Sequence, residues 1–97
     1  MPQATQEQID AWKKQHGDIF EFKVGEDKYA YLKKPDRKTM GLASALQANP
    51  VRSNEAILKG CWIGGDEEIQ SDNDLFASIQ GQLGILIDVK AVEVKKL

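Results

Sequence analysis

Cys61 is the one thiol of this 97-residue chain and His16 the one imidazole. A Cys–His dyad is therefore the single nucleophilic pairing the sequence could assemble. The neighbours of each residue point elsewhere. Cys61 lies between Leu58 and Trp62 at helical spacing, where a free cysteine behaves as a small buried hydrophobe. His16 closes a helical stretch, and an imidazole there favours the helix C-terminus. With one cysteine, neither an internal disulfide nor a zinc site built on several thiolates can form.

The acidic cluster Asp66, Glu67, Glu68, Asp72 and Asp74 raises calcium as a ligand. Calcium loops need regularly spaced oxygens, a turning glycine and a bidentate glutamate. Asp72 and Asp74 supply only the first two positions, and no glycine stands five residues beyond Asp72. The acids read instead as a solvated loop followed by a helix cap. Gly60, Gly64 and Gly65 are not followed by the Gly-Lys-Ser/Thr of a phosphate loop. The opposite charge gathers in Lys33, Lys34, Arg37 and Lys38, a basic knot that could touch phosphate near a helix start. A helix-turn-helix reading would present Arg52, Asn54 and Lys59, flanked by acids, to a major groove. Lys33, Lys34, Arg37, Lys38 and Trp12 are the residues that could meet a partner. No acid, base and nucleophile converge, so no catalytic, cofactor or metal residue is assigned and the chain reads as a non-enzyme.

The elements that carry these residues follow from pattern. Thr5 and Gln8 form a capping box, Ile9, Trp12 and His16 recur at helical spacing, and Gly17 suits the position past the end, giving a helix over about 6–16. Its apolar stripe is thin, and Trp12 is its anchor. Phe20, Phe22 and Val24 alternate with charged residues, as do Tyr29 and Tyr31, so strands are expected near 19–24 and 28–33 around a Gly25-Glu26-Asp27 loop. A lone hairpin is marginal in water, so its Phe20/Phe22/Tyr29/Tyr31 face should pack on helices.

Pro35-Asp36 ends the sheet and caps a second helix to about Ala48, closed by Asn49-Pro50. Ser53 is the expected cap of a third helix carrying Ala56, Ile57, Leu58, Cys61 and Trp62, with Gly64-Gly65 as its stop. Ser71-Asp72-Asn73-Asp74 opens a fourth, over about 72–88, whose Leu75, Phe76, Ile79, Leu83 and Leu86 form the spine of the core. Gly41, Gly81 and Gly84 inside helices suggest close neighbours. The ending over 89–97 alternates apolar and polar residues, which fits an additional strand beside the hairpin or a frayed tail. The expected class is α+β, a β-hairpin packed against about four short helices, in one domain over 1–97 with residues 1–17 appended to a core of about 18–88.

Composition narrows the classes further. Hydrophobic residues make up 41% and charged residues 29%, as in ordinary globular chains. The net charge of −2 gives no global pull toward nucleic acid or anionic membrane. The N-terminus lacks a signal-peptide pattern and no apolar run reaches about 20 residues, so a cytoplasmic location and no membrane partner are expected.

Three stretches taken in order resemble the small tail assembly chaperone-like proteins of long-tailed phages and prophages. They are the hairpin-to-helix run ending Tyr31-Leu32-Lys33-Lys34-Pro35-Asp36-Arg37, the segment Asn54-Glu55-Ala56-Ile57-Leu58-Lys59-Gly60-Cys61-Trp62-Ile63-Gly64-Gly65, and Asp74-Leu75-Phe76-Ala77-Ser78-Ile79. The resemblance spans about residues 18–88, and the first helix with Trp12 is an addition to it. It implies a non-enzymatic protein of the bacterial host cytoplasm, without cofactor, that binds tape-measure or tail-tube protein during virion assembly. The alternative is a generic prophage-encoded interaction module, or a regulatory module that binds nucleic acid through 33–38.

Overall fold

The computed structural model describes residues 3–87 and 90–97. Its elements are α1 (Gln6–His16), β1 (Ile19–Val24), β2 (Lys28–Lys33), α2 (Arg37–Ala45), α3 (Pro50–Cys61), β3 (Trp62–Gly65), α4 (Glu68–Ser71), α5 (Asn73–Gln80) and a 3₁₀ turn at Leu83–Leu86. This is an α+β fold, an antiparallel sheet of order β1-β2-β3 with helices on both faces.

The hairpin forms as its alternation dictates, with Gly25 taking the positive φ of 69° that its tight loop demands. The three-residue loop pairs Val24 with Lys28, so Phe20 faces Leu32 and Phe22 faces Ala30. Cross-strand partners share a face. Phe20, Phe22, Val24, Ala30 and Leu32 thus turn to the main core, beside Leu58, Cys61, Ile69, Ile79, Leu83 and Leu86. Tyr29 and Tyr31 lie on the opposite face, which corrects the expected four-aromatic face. Tyr31 is nonetheless fully buried, because α1 covers it. Its ring meets Trp12 at 5.1 Å between centroids, and its hydroxyl accepts from the Ala4 amide at 2.8 Å and donates to Glu21 Oε1 at 2.7 Å. Aromatic pairs of this kind add about 0.5–1.5 kcal/mol beyond burial. α1 keeps its expected bounds, its Thr5–Gln8 capping box and Gly17 at φ 83°.

The third strand is not the chain end. Residues 90–97 form no helix or strand, and Asp88 and Val89 lie outside the described residues. Trp62–Gly65 runs straight out of α3 and pairs with β2, Leu32 opposite Trp62 and Ala30 opposite Gly65. Gly65 has φ 125°, and a Cβ there would fall 2.2 Å from the Tyr29 carbonyl oxygen, so no other residue fits without moving β2. The glycine pair that looked like a helix stop is a close strand crossing.

Other boundaries shift for local reasons. Asn49-Pro50 starts α3 rather than only ending α2: Asn49 Oδ1 accepts from the Arg52 amide at 3.3 Å and Pro50 takes the first turn. Ser53 therefore sits inside α3, its hydroxyl donating to the Ala43 carbonyl at 2.9 Å. Asp72, not Ser71, caps α5, with Oδ1 accepting from the Asp74 and Leu75 amides, both at 3.0 Å. The helix expected over 72–88 stops at Gln80, and Leu83 and Leu86 reach the core from the 3₁₀ turn. Gly41, Gly81 and Gly84 would meet nothing within 4 Å, whereas a Cβ on Gly60 would lie 2.4 Å from Thr39 Oγ1, so at Gly60 α3 packs closely on α2.

Candidate functional site

The nucleophile candidates are kept apart. Cys61 is fully buried in the main core, and burial pushes its thiol up to about 11. His16 is exposed at the end of α1, the helix that covers the other face of the sheet.

The acidic residues serve the fold. Asp66, expected in a solvated loop, is buried at 8% exposure. Its Oδ2 accepts from the Tyr29 amide at 2.8 Å and its own amide donates to the Tyr29 carbonyl at 2.8 Å, so it clamps β2 to the chain leaving β3. Burial pushes its carboxyl up, but hydrogen bonding, with the Tyr29 amide among the donors, and the charge of Lys28 outweigh this and hold it below the usual range. Glu68 pairs with Lys28 at 3.4 Å, and Asp72 is occupied as the α5 cap. The acidic stretch 66–70 also contains a helical turn, α4, which drives Ile69 fully into the core. Among the described residues, no three His, Cys, Asp or Glu side chains gather as a metal site would require.

The residues of the basic knot differ in setting. Lys33 ends β2 and is half-buried, while Lys34 pairs with Asp18 at 3.2 Å. Arg37 and Lys38 are exposed on the first turn of α2. The end of that helix is already served by a carboxylate: Asp36 Oδ1 accepts from the Thr39 amide at 2.8 Å, and hydrogen bonding to Thr39 holds the Asp36 carboxyl below its ordinary range. A phosphate would have to displace that negative group. Trp12 is half-buried between the Tyr31 ring and Gly64, where a Cβ would approach the indole to 3.2 Å. It packs the protein's own sheet.

Large apolar side chains are left in water along α2. Thr39 and Ala43 turn inward, leaving Met40 and Leu42 on the two flanks, 42% and 52% exposed. Each flank borders a groove. On one side, Leu42 with Ala56 and Gly60 lines a hollow of about 330 Å³ between α2 and α3, edged by Asp36, Lys38 and Lys59. On the other, Pro35, Met40, Ala43, Ile57 and Ile87 line a hollow of about 320 Å³. A neighbouring hollow of about 290 Å³ shares Pro35, Met40 and Ile87 and adds Lys34, Leu86 and Lys90, so the second groove is continuous. Ile87, 42% exposed, forms part of its wall. None of these apolar residues was marked by sequence reading as a contact surface. The only signal was that α2 offers two large apolar side chains, Met40 and Leu42, that cannot share one narrow buried stripe.

Compared with protein-family models, with curated proteins and with solved structures, the chain matches none. Among the described residues no helix is long and apolar enough to cross a membrane.

Proposed function

We propose that this protein is a non-enzymatic binding module of the bacterial host cytoplasm that holds an amphipathic helical segment of a phage or prophage tail protein, acting as a tail assembly chaperone. The observation that carries the reading is the continuous groove of Pro35, Met40, Ala43, Ile57 and Ile87, which leaves large apolar side chains in water on a small domain. A groove of this kind accepts the apolar face of a helix. The resemblance over about residues 18–88 supplies the client class, tape-measure or tail-tube protein.

The test is co-expression with the product of a neighbouring long tail gene, followed by pull-down, using wild type, Met40→Asp and Ile87→Asp. Retention by the wild type and loss in both variants is expected, with stability changed by no more than about 0.5 kcal/mol because both side chains are substantially exposed. A parallel DNA titration at two salt concentrations addresses the basic knot. Contacts from Lys33, Lys34, Arg37 and Lys38 to roughly four phosphates would give a slope of about −3 to −4 in log affinity against log salt. Tight DNA binding with that slope and no retained tail protein would overturn the chaperone reading.

A further inference from the structure

The chain end has the pattern of a strand and no sheet to join. Lys90 to Leu97 are all exposed, Val92 at 82%, Val94 at 91% and Leu97 at 106%. Val92 and Val94 alternate with Glu93 and Lys95 at period two. The molecule is correspondingly extended, 55 Å along its longest axis, with a radius of gyration of 14.9 Å. About 12.5 Å is usual for a compact chain of this length. At the same time β1 is an edge strand: its one partner among the described residues is β2. An edge strand presents a row of unpaired amides and carbonyls to any incoming chain. Beside that edge, Phe22, Val24, Gly25, Ser78, Ile79 and Gln82 surround a hollow of about 160 Å³ between β1 and α5. The core-facing side chains of a strand added to β1 would land there.

We propose that the tail of a second copy of this chain adds to β1 as an antiparallel fourth strand, and that two copies exchange tails reciprocally to form a symmetric dimer. Charge selects the register. With Val94 opposite Phe22 and Val92 opposite Val24, the two valines enter the hollow. Glu93 then faces Lys23, Lys95 faces Glu21, and Leu97 faces Ile19, all on the outer face of the sheet. The one poor pair is Lys96 beside Phe20, at the end of the strand, where a lysine can carry its ammonium into water.

The chain's own tail fits less well. Ile87 and Lys90 share a hollow with Lys34 and Pro35, at the Ile19 end of β1. To pair antiparallel in this register, residue 92 of the same chain would have to reach Val24 at the far end. Five residues cover about 17 Å when fully extended, the length of β1 itself, which leaves none for the reversal. Parallel addition avoids the reversal but loses the charge match. Val92 beside Phe20 sets Glu93 against Glu21 and Lys95 against Lys23, and a shift by two residues sets Lys90 against Phe20. A partner's tail meets neither restriction.

The test is sedimentation-velocity and light-scattering measurement of the full chain over a wide concentration range, with four variants: deletion of residues 91–97, Lys23→Glu, Glu93→Lys, and the last two combined. The expected result is a concentration-dependent wild-type dimer that becomes a monomer on deletion. Each single charge change occurs twice in the symmetric dimer and should weaken it about tenfold. The double change should restore it. Circular dichroism checks that every variant is folded, which the full exposure of the tail favours. A monomeric wild type overturns the proposal, whether or not amide exchange finds its tail protected. So does a dimer that survives the deletion, or a double variant no tighter than the singles. The groove along α2 is not involved, so Met40→Asp and Ile87→Asp should leave the dimer intact, and client binding and self-association can fail separately.

Discussion

Ile79 joins α5 to the sheet, and its truncation tests the packing most directly. The side chain is 2% exposed within the core cluster and borders the same hollow as Phe22 and Val24. Ile79→Ala removes three carbon groups, worth about 2.4 kcal/mol in transfer free energy at about 0.8 each. A cavity term adds to this, and buried truncations span about 2–5 kcal/mol. The adjoining hollow lets the site collapse or admit water, which places the loss in the lower half of that range, about 2.5–3.5 kcal/mol. For a domain of this size that lowers the melting temperature by about 10–28 °C. Urea unfolding followed by circular dichroism measures it, with Ile85→Ala as the control. Ile85 is 64% exposed, so its truncation should stay within about 0.5 kcal/mol. If Ile79→Ala were as mild as Ile85→Ala, α5 would not be part of the core.

Three more outcomes follow from the same structure. Cys61, with its thiol near 11, is about one part in ten thousand thiolate at neutral pH, so a thiol reagent should label the native protein slowly, and rapid labelling of folded protein would contradict its burial. Gly65→Ala should destabilise by at least about 2 kcal/mol through the Tyr29 carbonyl clash and the positive φ, while Gly41→Ala, in open space on α2, should stabilise by about 0.5–1 kcal/mol; chemical denaturation of both separates close approach from helix propensity. Asp66→Ala leaves the Tyr29 amide unsatisfied and should lose about 1–3 kcal/mol at pH 7. Because the folded carboxyl titrates below its unfolded value, its contribution is complete above about pH 4 and fades as pH falls through the folded pKa, so the gap between wild type and variant should close in acid.

The elements written into local pattern formed where that pattern put them. The capping box of α1, the two hairpin strands and the Asp36 cap depend on contacts within a few residues, which a linear reading can see. Even the sidedness of the tyrosines was within reach: a loop of three residues pairs 24 with 28, so even-numbered residues oppose even-numbered ones and Tyr31 must turn away from Phe22. What local pattern could not supply was set by distant partners. Trp62–Gly65 continues a helical apolar run and holds two glycines, so only the open edge of β2 makes it a strand. Asp66 is indistinguishable from its acidic neighbours until the Tyr29 backbone, thirty-seven residues away in sequence, binds it. The groove along α2 shares this origin. It is bounded by Met40, Ile57 and Ile87 from three separate segments, and the sequence alone selected the charged 33–38 stretch instead, because charge is visible residue by residue whereas a concave apolar surface exists only after the chain has folded.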